Sequence, residues 1–147
     1  MSEAASVTIT RQDRYRFLVD FGPGIDAMEA DEPLPLGGGA GPSPAQLLAA
    51  AVANCLSASL VFANAKYKED PGPLVTTVDC TIARNERNRL RVTGMAVTIT
   101  LGVPADRLAH LERALAQFED FCTVSQSVRT GIPFTVTVKG PDGTVLK

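Results

Sequence analysis

The residues of this 147-residue chain best suited to chemistry are three cysteines, Cys55, Cys80 and Cys122, and one histidine, His110. There is no Cys-x-x-Cys, and a single histidine leaves a zinc site of several His and Cys ligands without its ligands. No cofactor or metal is expected. Two thiols suffice for a peroxide cycle if the fold brings them together. A thiolate attacks the O–O bond and becomes a sulfenic acid, and a second thiol condenses with it to a disulfide. Such a bond needs Cα atoms within about 4.4–6.8 Å of each other. A Cys-His or Ser-His machine would have to use His110, which stands beside Ala109 in Leu108-Ala-His-Leu-Glu and reads as a solvated helix position.

Composition narrows the setting. Apolar residues make up 45% and charged residues 20%, and sixteen acids against fourteen bases leave a net charge of −2. A nucleic-acid binder would carry a concentrated positive field instead. The odd, scattered cysteines fit a reducing compartment rather than a disulfide scaffold. The longest apolar stretch is interrupted by Asn54, Ser57, Ser59 and Asn64, so no unbroken run reaches the roughly 18 residues of a membrane span. Met1-Ser2-Glu3-Ala4-Ala5 lacks the basic-then-apolar pattern of a secretion signal. The expectation is one cytoplasmic domain over residues 1–147, with no nucleic-acid or membrane partner.

The elements that must position the thiols follow from periodicity. Val7 and Ile9, then Tyr15, Phe17, Val19 and Phe21, alternate with polar neighbours, and Arg11-Gln12-Asp13-Arg14 reads as the hairpin turn between two strands. Gly22 to Ser43 is rich in Gly, Pro and acid; it predicts a short strand at Asp26–Ala30, then an arm that packs elsewhere. Its glycine run, Gly37-Gly38-Gly39-Ala40-Gly41, lacks the lysine and spacing of a phosphate loop, and reads as a flexible approach to the helix beyond.

That helix is the strongest signal in the chain. Ser43 suits the N-cap, Pro44 the first helical position, and Gln46 the reciprocal place in a capping box. Pro44–Ala65 is apolar on nearly every face, which calls for a core or a subunit interface. Two strands follow around a charged turn, Arg84–Arg89, expected to be a solvated hairpin tip. The alternation Leu90, Val92 shifts phase at Gly94 and resumes at Met95, Val97 and Ile99, as a bulge requires. Pro104 starts a second helix whose stripe is Leu108, Leu111, Leu115, Phe118 and Cys122. Thr123 to Gln126 looks like a fresh cap, and Phe134, Val136 and Val138 form a last strand. The order predicts an α+β domain.

Within this frame Cys80 alternates with Val78 and Ile82 as a strand core residue. Cys55 lies mid-helix beside Val52, Ser59 and Phe62, and from position alone reads as a small buried residue. Cys122 falls where one helix ends and another begins, so free backbone N–H groups would favour its thiolate, with Glu119 and Asp120 opposing.

Gly41-Pro42-Ser43-Pro44-Ala45-Gln46-Leu47-Leu48, with the Ala-rich helix and Cys55 behind it, resembles the first motif of the OsmC/Ohr family. Cys122-Thr123-Val124-Ser125-Gln126-Ser127-Val128, with its following strand, resembles the second. The likeness runs from about Asp31 to Lys139. It implies the OsmC-like α+β fold, an intertwined homodimer in which two long central helices per chain pack against antiparallel sheets. It implies a thiol peroxidase for organic hydroperoxides, an antioxidant activity of oxidative stress, drawing electrons from a dithiol such as dihydrolipoamide. By match, Cys55 is the peroxide-attacking cysteine and Cys122 the resolving one. The family's peroxidases also pair an arginine with a glutamate in the first turn of the helix. Here Gln46 holds the glutamate position, and no Lys or Arg occurs between Arg16 and Lys66. A substitute cation would have to come from Arg11, Arg14, Arg16 or Arg129. Without one, the resemblance implies an OsmC-like protein that is not a peroxidase, a small-molecule-binding or stress-related protein.

Overall fold

The computed structural model describes residues 2–147. They divide into two compact units, one up to Leu48 and one from Ala49 onward. The first holds an antiparallel sheet of β1 (Thr8–Asp13), β2 (Arg16–Asp20) and β3 (Met28–Ala30), in that order. The hairpin turn sits at Arg14 and Tyr15, later than the polar cluster suggests, because β1 runs on through Asp13 with a bulge between Arg11 and Asp13. Arg14 takes the left-handed conformation the tight turn needs, φ 46°. The expected strand at Asp26–Ala30 is present but shorter.

The glycine run is not the loose approach expected of it. It folds back on Asp31, whose carboxylate accepts the backbone N–H groups of Glu32 (2.8 Å), Gly38 (3.0 Å) and Ala40 (3.1 Å). Asp31 N–H donates to the Pro42 carbonyl at 3.2 Å, closing the loop. A side chain at Gly37 would fall on the Glu32 carbonyl and the Asp31 carboxylate, so the close approach requires glycine there.

Helix α1 (Pro44–Ala65) begins and ends where its residues predict. The capping box forms: Ser43 N–H donates to Gln46 Oε1 at 2.9 Å, and Gln46 N–H to Ser43 Oγ at 3.3 Å. By length and composition α1 is long and apolar enough to cross a membrane, which a count of unbroken apolar runs does not reveal. Its interrupting residues are uncharged. Ser57 Oγ donates back to the Ala53 carbonyl and Asn64 Nδ2 to that of Leu60, while Asn64 Oδ1 is buried without a partner.

In the second unit β4 (Val75–Arg84), β5 (Leu90–Thr100) and β6 (Phe134–Lys139) form one sheet in that order. Thr81 pairs with Gly94 and Ile82 with Val92, leaving Thr93 as the extra residue of the bulge expected at Gly94. The tip around Asn85–Arg89 is exposed, as expected. β6 runs parallel to β5, so this sheet is mixed and not antiparallel. Chain returning from β5 must cross back to the same end, and the helical segments between them do so. Val52, Leu56 and Leu60 of α1 are fully buried, as are Ile99 and Val138 of the sheet and Phe118. Each of the larger ones contributes roughly 1.5–3 kcal/mol by leaving water. Ser57 and Thr76 share a 2.6 Å hydrogen bond that ties α1 to β4.

The second long helix does not form as one piece. A 3-10 turn at Ala105–Arg107, α2 (Leu111–Gln117), a second 3-10 turn at Phe118–Phe121 and α3 (Thr123–Val128) succeed one another. Leu111, Leu115, Phe118 and Cys122 still share a buried stripe. The first break has a clear cause: His110 N–H donates to the Glu69 carboxylate, 3.2 Å to each oxygen, instead of to a helix carbonyl. The second break falls at Cys122, whose backbone is extended (φ −83°, ψ 98°).

Candidate functional site

Cys55 is half-buried on α1, and Cys122 is fully buried at the start of α3. The structure sets the Cys55 thiol near enough to Cys122 to act on the Cys122 thiol and raise it. Cys80, half-buried on β4 opposite Met95, is not among the groups acting on Cys122.

Cys122 itself fills the N-cap position of α3. Its N–H donates to the Glu119 carbonyl at 3.1 Å and its carbonyl accepts from Gln126 N–H at 3.0 Å. Its sulfur accepts the Ser125 N–H at 3.3 Å, the role a hydroxyl or carboxylate oxygen usually plays at this position. The extended backbone at Cys122 is what turns the sulfur over the first turn. The N–H groups expected near Cys122 are therefore there, but they do not decide its proton affinity. Burial pushes the Cys122 thiol up from its ordinary value. The Ser125 hydroxyl and N–H work the other way, and the Cys55 thiol adds to the rise. Burial, with Asp79 beside it, also raises the Cys80 thiol.

Glu119, expected to oppose a thiolate, is held by two cations. Arg129 Nη2 reaches it at 3.0 Å, and Lys147 Nζ binds its other oxygen. Arg129 also stacks its guanidinium on Phe134, 4.7 Å from the ring centre, so it is committed away from the sulfurs. In the first unit Arg16 pairs with Glu29 at 3.4 Å, and Arg11 Nε donates to the Arg14 carbonyl. Gln46 is engaged in the cap of α1. The ion pairs of Arg16, Arg129 and Lys147 run to carboxylates.

Three features of the structure were not legible in the sequence. Ser125 is completely buried, and its hydroxyl has no hydrogen-bond partner. Leaving such a group unpaired costs about 1–3 kcal/mol. Phe121, next to Cys122, meets Phe62 edge to face at 5.3 Å, and the Lys66 ammonium lies 4.1 Å from the Phe121 ring centre. His110 is more engaged than a solvated helix position: its Nδ1 lies 3.0 Å from Glu69 Oε1 and its ring stacks on Tyr67. Phe62, two turns after Cys55 on the same helix, was the available signal for the aromatic pair. Nothing local marks Ser125, since its burial depends on what packs over α3. Among the described residues, no cluster of three His, Cys, Asp or Glu could hold a metal ion.

No curated protein matches the sequence. Solved structures share its fold at low identity. An OsmC-like protein of Vibrio cholerae of unknown function is 19% identical, with 92% of this chain and 99% of that one covered and a TM-score of 0.74. An organic hydroperoxide resistance protein OsmC of Legionella pneumophila is 18% identical, with coverages of 93% and 97% and a TM-score of 0.71. The organic hydroperoxide resistance protein OhrB of Bacillus subtilis is 18% identical, with 93% and 98% covered and a TM-score of 0.69. The model of the OsmC-like protein family matches residues 37–137, a span that includes both cysteine motifs. With an α+β architecture, two sheets and both motifs in family order, the chain belongs to the OsmC-like protein family.

Proposed function

We propose that this protein is a cysteine-based thiol peroxidase that reduces organic hydroperoxides, with Cys55 peroxidatic and Cys122 resolving. The observation that carries the reading is the placement of the Cys55 thiol near enough to Cys122 to act on it. The Cys55 thiol gives up its proton and its sulfur attacks the terminal peroxide oxygen; an S–O bond forms as O–O breaks, and the alkoxide takes that proton and leaves as an alcohol. Cys55 is then a sulfenic acid. The Cys122 sulfur, giving up its proton, attacks the Cys55 sulfur; S–S forms, S–O breaks, and water leaves. A dithiol such as dihydrolipoamide restores both thiols by exchange and becomes a disulfide itself. A cytoplasmic location would keep the resting thiols reduced. Two similar structures carry the name organic hydroperoxide resistance protein, which supports the substrate class. Homodimerisation belongs to the same reading: Val61 and Phe62 of α1 are exposed apolar side chains, 43% and 54%, that a second chain would cover.

The raised Cys122 thiol and the commitment of Arg129 to Glu119 favour a second reading, an OsmC-like protein that binds a small molecule or acts in stress without peroxidase turnover. Steady-state reduction of cumene hydroperoxide by a dithiol decides between them. Cys55→Ser is expected to abolish turnover while Cys80→Ser retains it. Absence of turnover in the wild type would establish the second reading, and unchanged turnover in Cys55→Ser would remove Cys55 as the peroxidatic residue.

A further inference from the structure

Ser125 stands three residues after Cys122 on the first turn of α3, with no solvent exposure. Buried hydroxyls are nearly always paired, yet this one has no partner. Its backbone N–H already donates to the Cys122 sulfur at 3.3 Å, and its side chain acts on the same sulfur, in the direction that favours the anion. A neutral thiol is a weak acceptor, whereas a thiolate takes charge-assisted hydrogen bonds. The hydroxyl thus makes no hydrogen bond of ordinary geometry in the resting state, and its place beside the Cys122 sulfur suits it to donate when that thiol loses its proton.

We propose that the Ser125 hydroxyl is the donor that holds Cys122 as a thiolate while it attacks oxidised Cys55. The inference rests on the peroxidase reading and deepens it. Cys122 loses its proton to the hydroxyl group departing from the Cys55 sulfenic acid, which leaves as water. The Ser125 O–H···S hydrogen bond strengthens as S–H breaks and is released as S–S forms. Ser125 keeps its own proton throughout. The titratable and charged groups around Cys122 are Cys55 on α1 and Glu119 on the preceding turn, the latter neutralised by Arg129 and Lys147.

The test compares full-length wild type, Ser125→Ala and Ser125→Thr after one equivalent of cumene hydroperoxide. Sulfenic acid on Cys55 is trapped with dimedone, and Cys55–Cys122 disulfide formation is followed against pH. Ser125→Ala should form sulfenic acid as fast as wild type but close the disulfide about tenfold more slowly near neutral pH, the scale of one charge-assisted hydrogen bond. The deficit should shrink toward alkaline pH, and Ser125→Thr should restore the rate. Ser125→Ala should melt no lower than wild type, because the deleted hydroxyl had no partner. Equal closure rates at every pH overturn the proposal, as does a pH-independent loss that tracks a fall in melting temperature. Wild type that yields neither trappable Cys55 sulfenic acid nor a Cys55–Cys122 disulfide overturns the peroxidase reading itself and this inference with it. That failure is visible in wild type before any variant is compared.

Discussion

Asp31 and Cys122 are both buried groups that can carry a negative charge, and their surroundings drive them in opposite directions. The Asp31 carboxylate receives three backbone N–H groups, and the hydrogen bond from Ala40 leads in holding it below the usual carboxylate range against the penalty of burial. Arg16 adds a favourable charge. The Cys122 sulfur receives a single backbone N–H, and burial wins, raising the thiol. The difference lies in the balance of the two effects: donors outweigh burial at Asp31, and burial outweighs the donors at Cys122. Asp31 is therefore a fixed anion that organises a loop. Cys122 is a thiol held toward its neutral form.

The comparison can be broken at its stronger end. Gly37→Ala forces a methyl group onto the Glu32 carbonyl and the Asp31 carboxylate, and should cost about 1–3 kcal/mol in a denaturant titration. A melt near the wild-type midpoint would mean the loop does not depend on that approach.

A smaller effect appears in stability against pH. Asp31 has a folded value below its unfolded one, so its contribution is present above the ordinary carboxylate value, about pH 3.9, and is lost as pH falls through the folded value. Asp31→Asn should flatten part of the acid limb, leaving the part due to Glu69 and Asp142, which are also lowered. Cys122 and Cys80 have the opposite sign: their contribution is whole below about pH 8.5 and lost as pH rises further. Cys122→Ala should flatten the alkaline limb in part. Identical limbs in the variants would refute the contrast between the two sites.

Features written in local chemistry were legible in the sequence. Ser43, Pro44 and Gln46 set the start of α1, and the phase shift at Gly94 marked the bulge. Features set by distant partners were not. The Leu108-to-Cys122 stripe fits a continuous helix and a string of shorter turns equally well, and Glu69, far back in the chain, breaks it by capturing the His110 N–H. The parallel pairing of β6 with β5 is likewise invisible to alternation, which reads faces and not neighbours. The Cys55 and Cys122 motifs could be recognised separately, whereas their proximity depends on how the chain after α2 lies along α1. The glycine run looked loose because the carboxylate that ties it down, Asp31, precedes it by several residues.

The most direct measurement is a thiol count and peptide map of reduced protein after one equivalent of cumene hydroperoxide. The account predicts rapid loss of the Cys55 and Cys122 thiols, recovery of a Cys55–Cys122 disulfide peptide, and a free Cys80. Survival of all three thiols would contradict it.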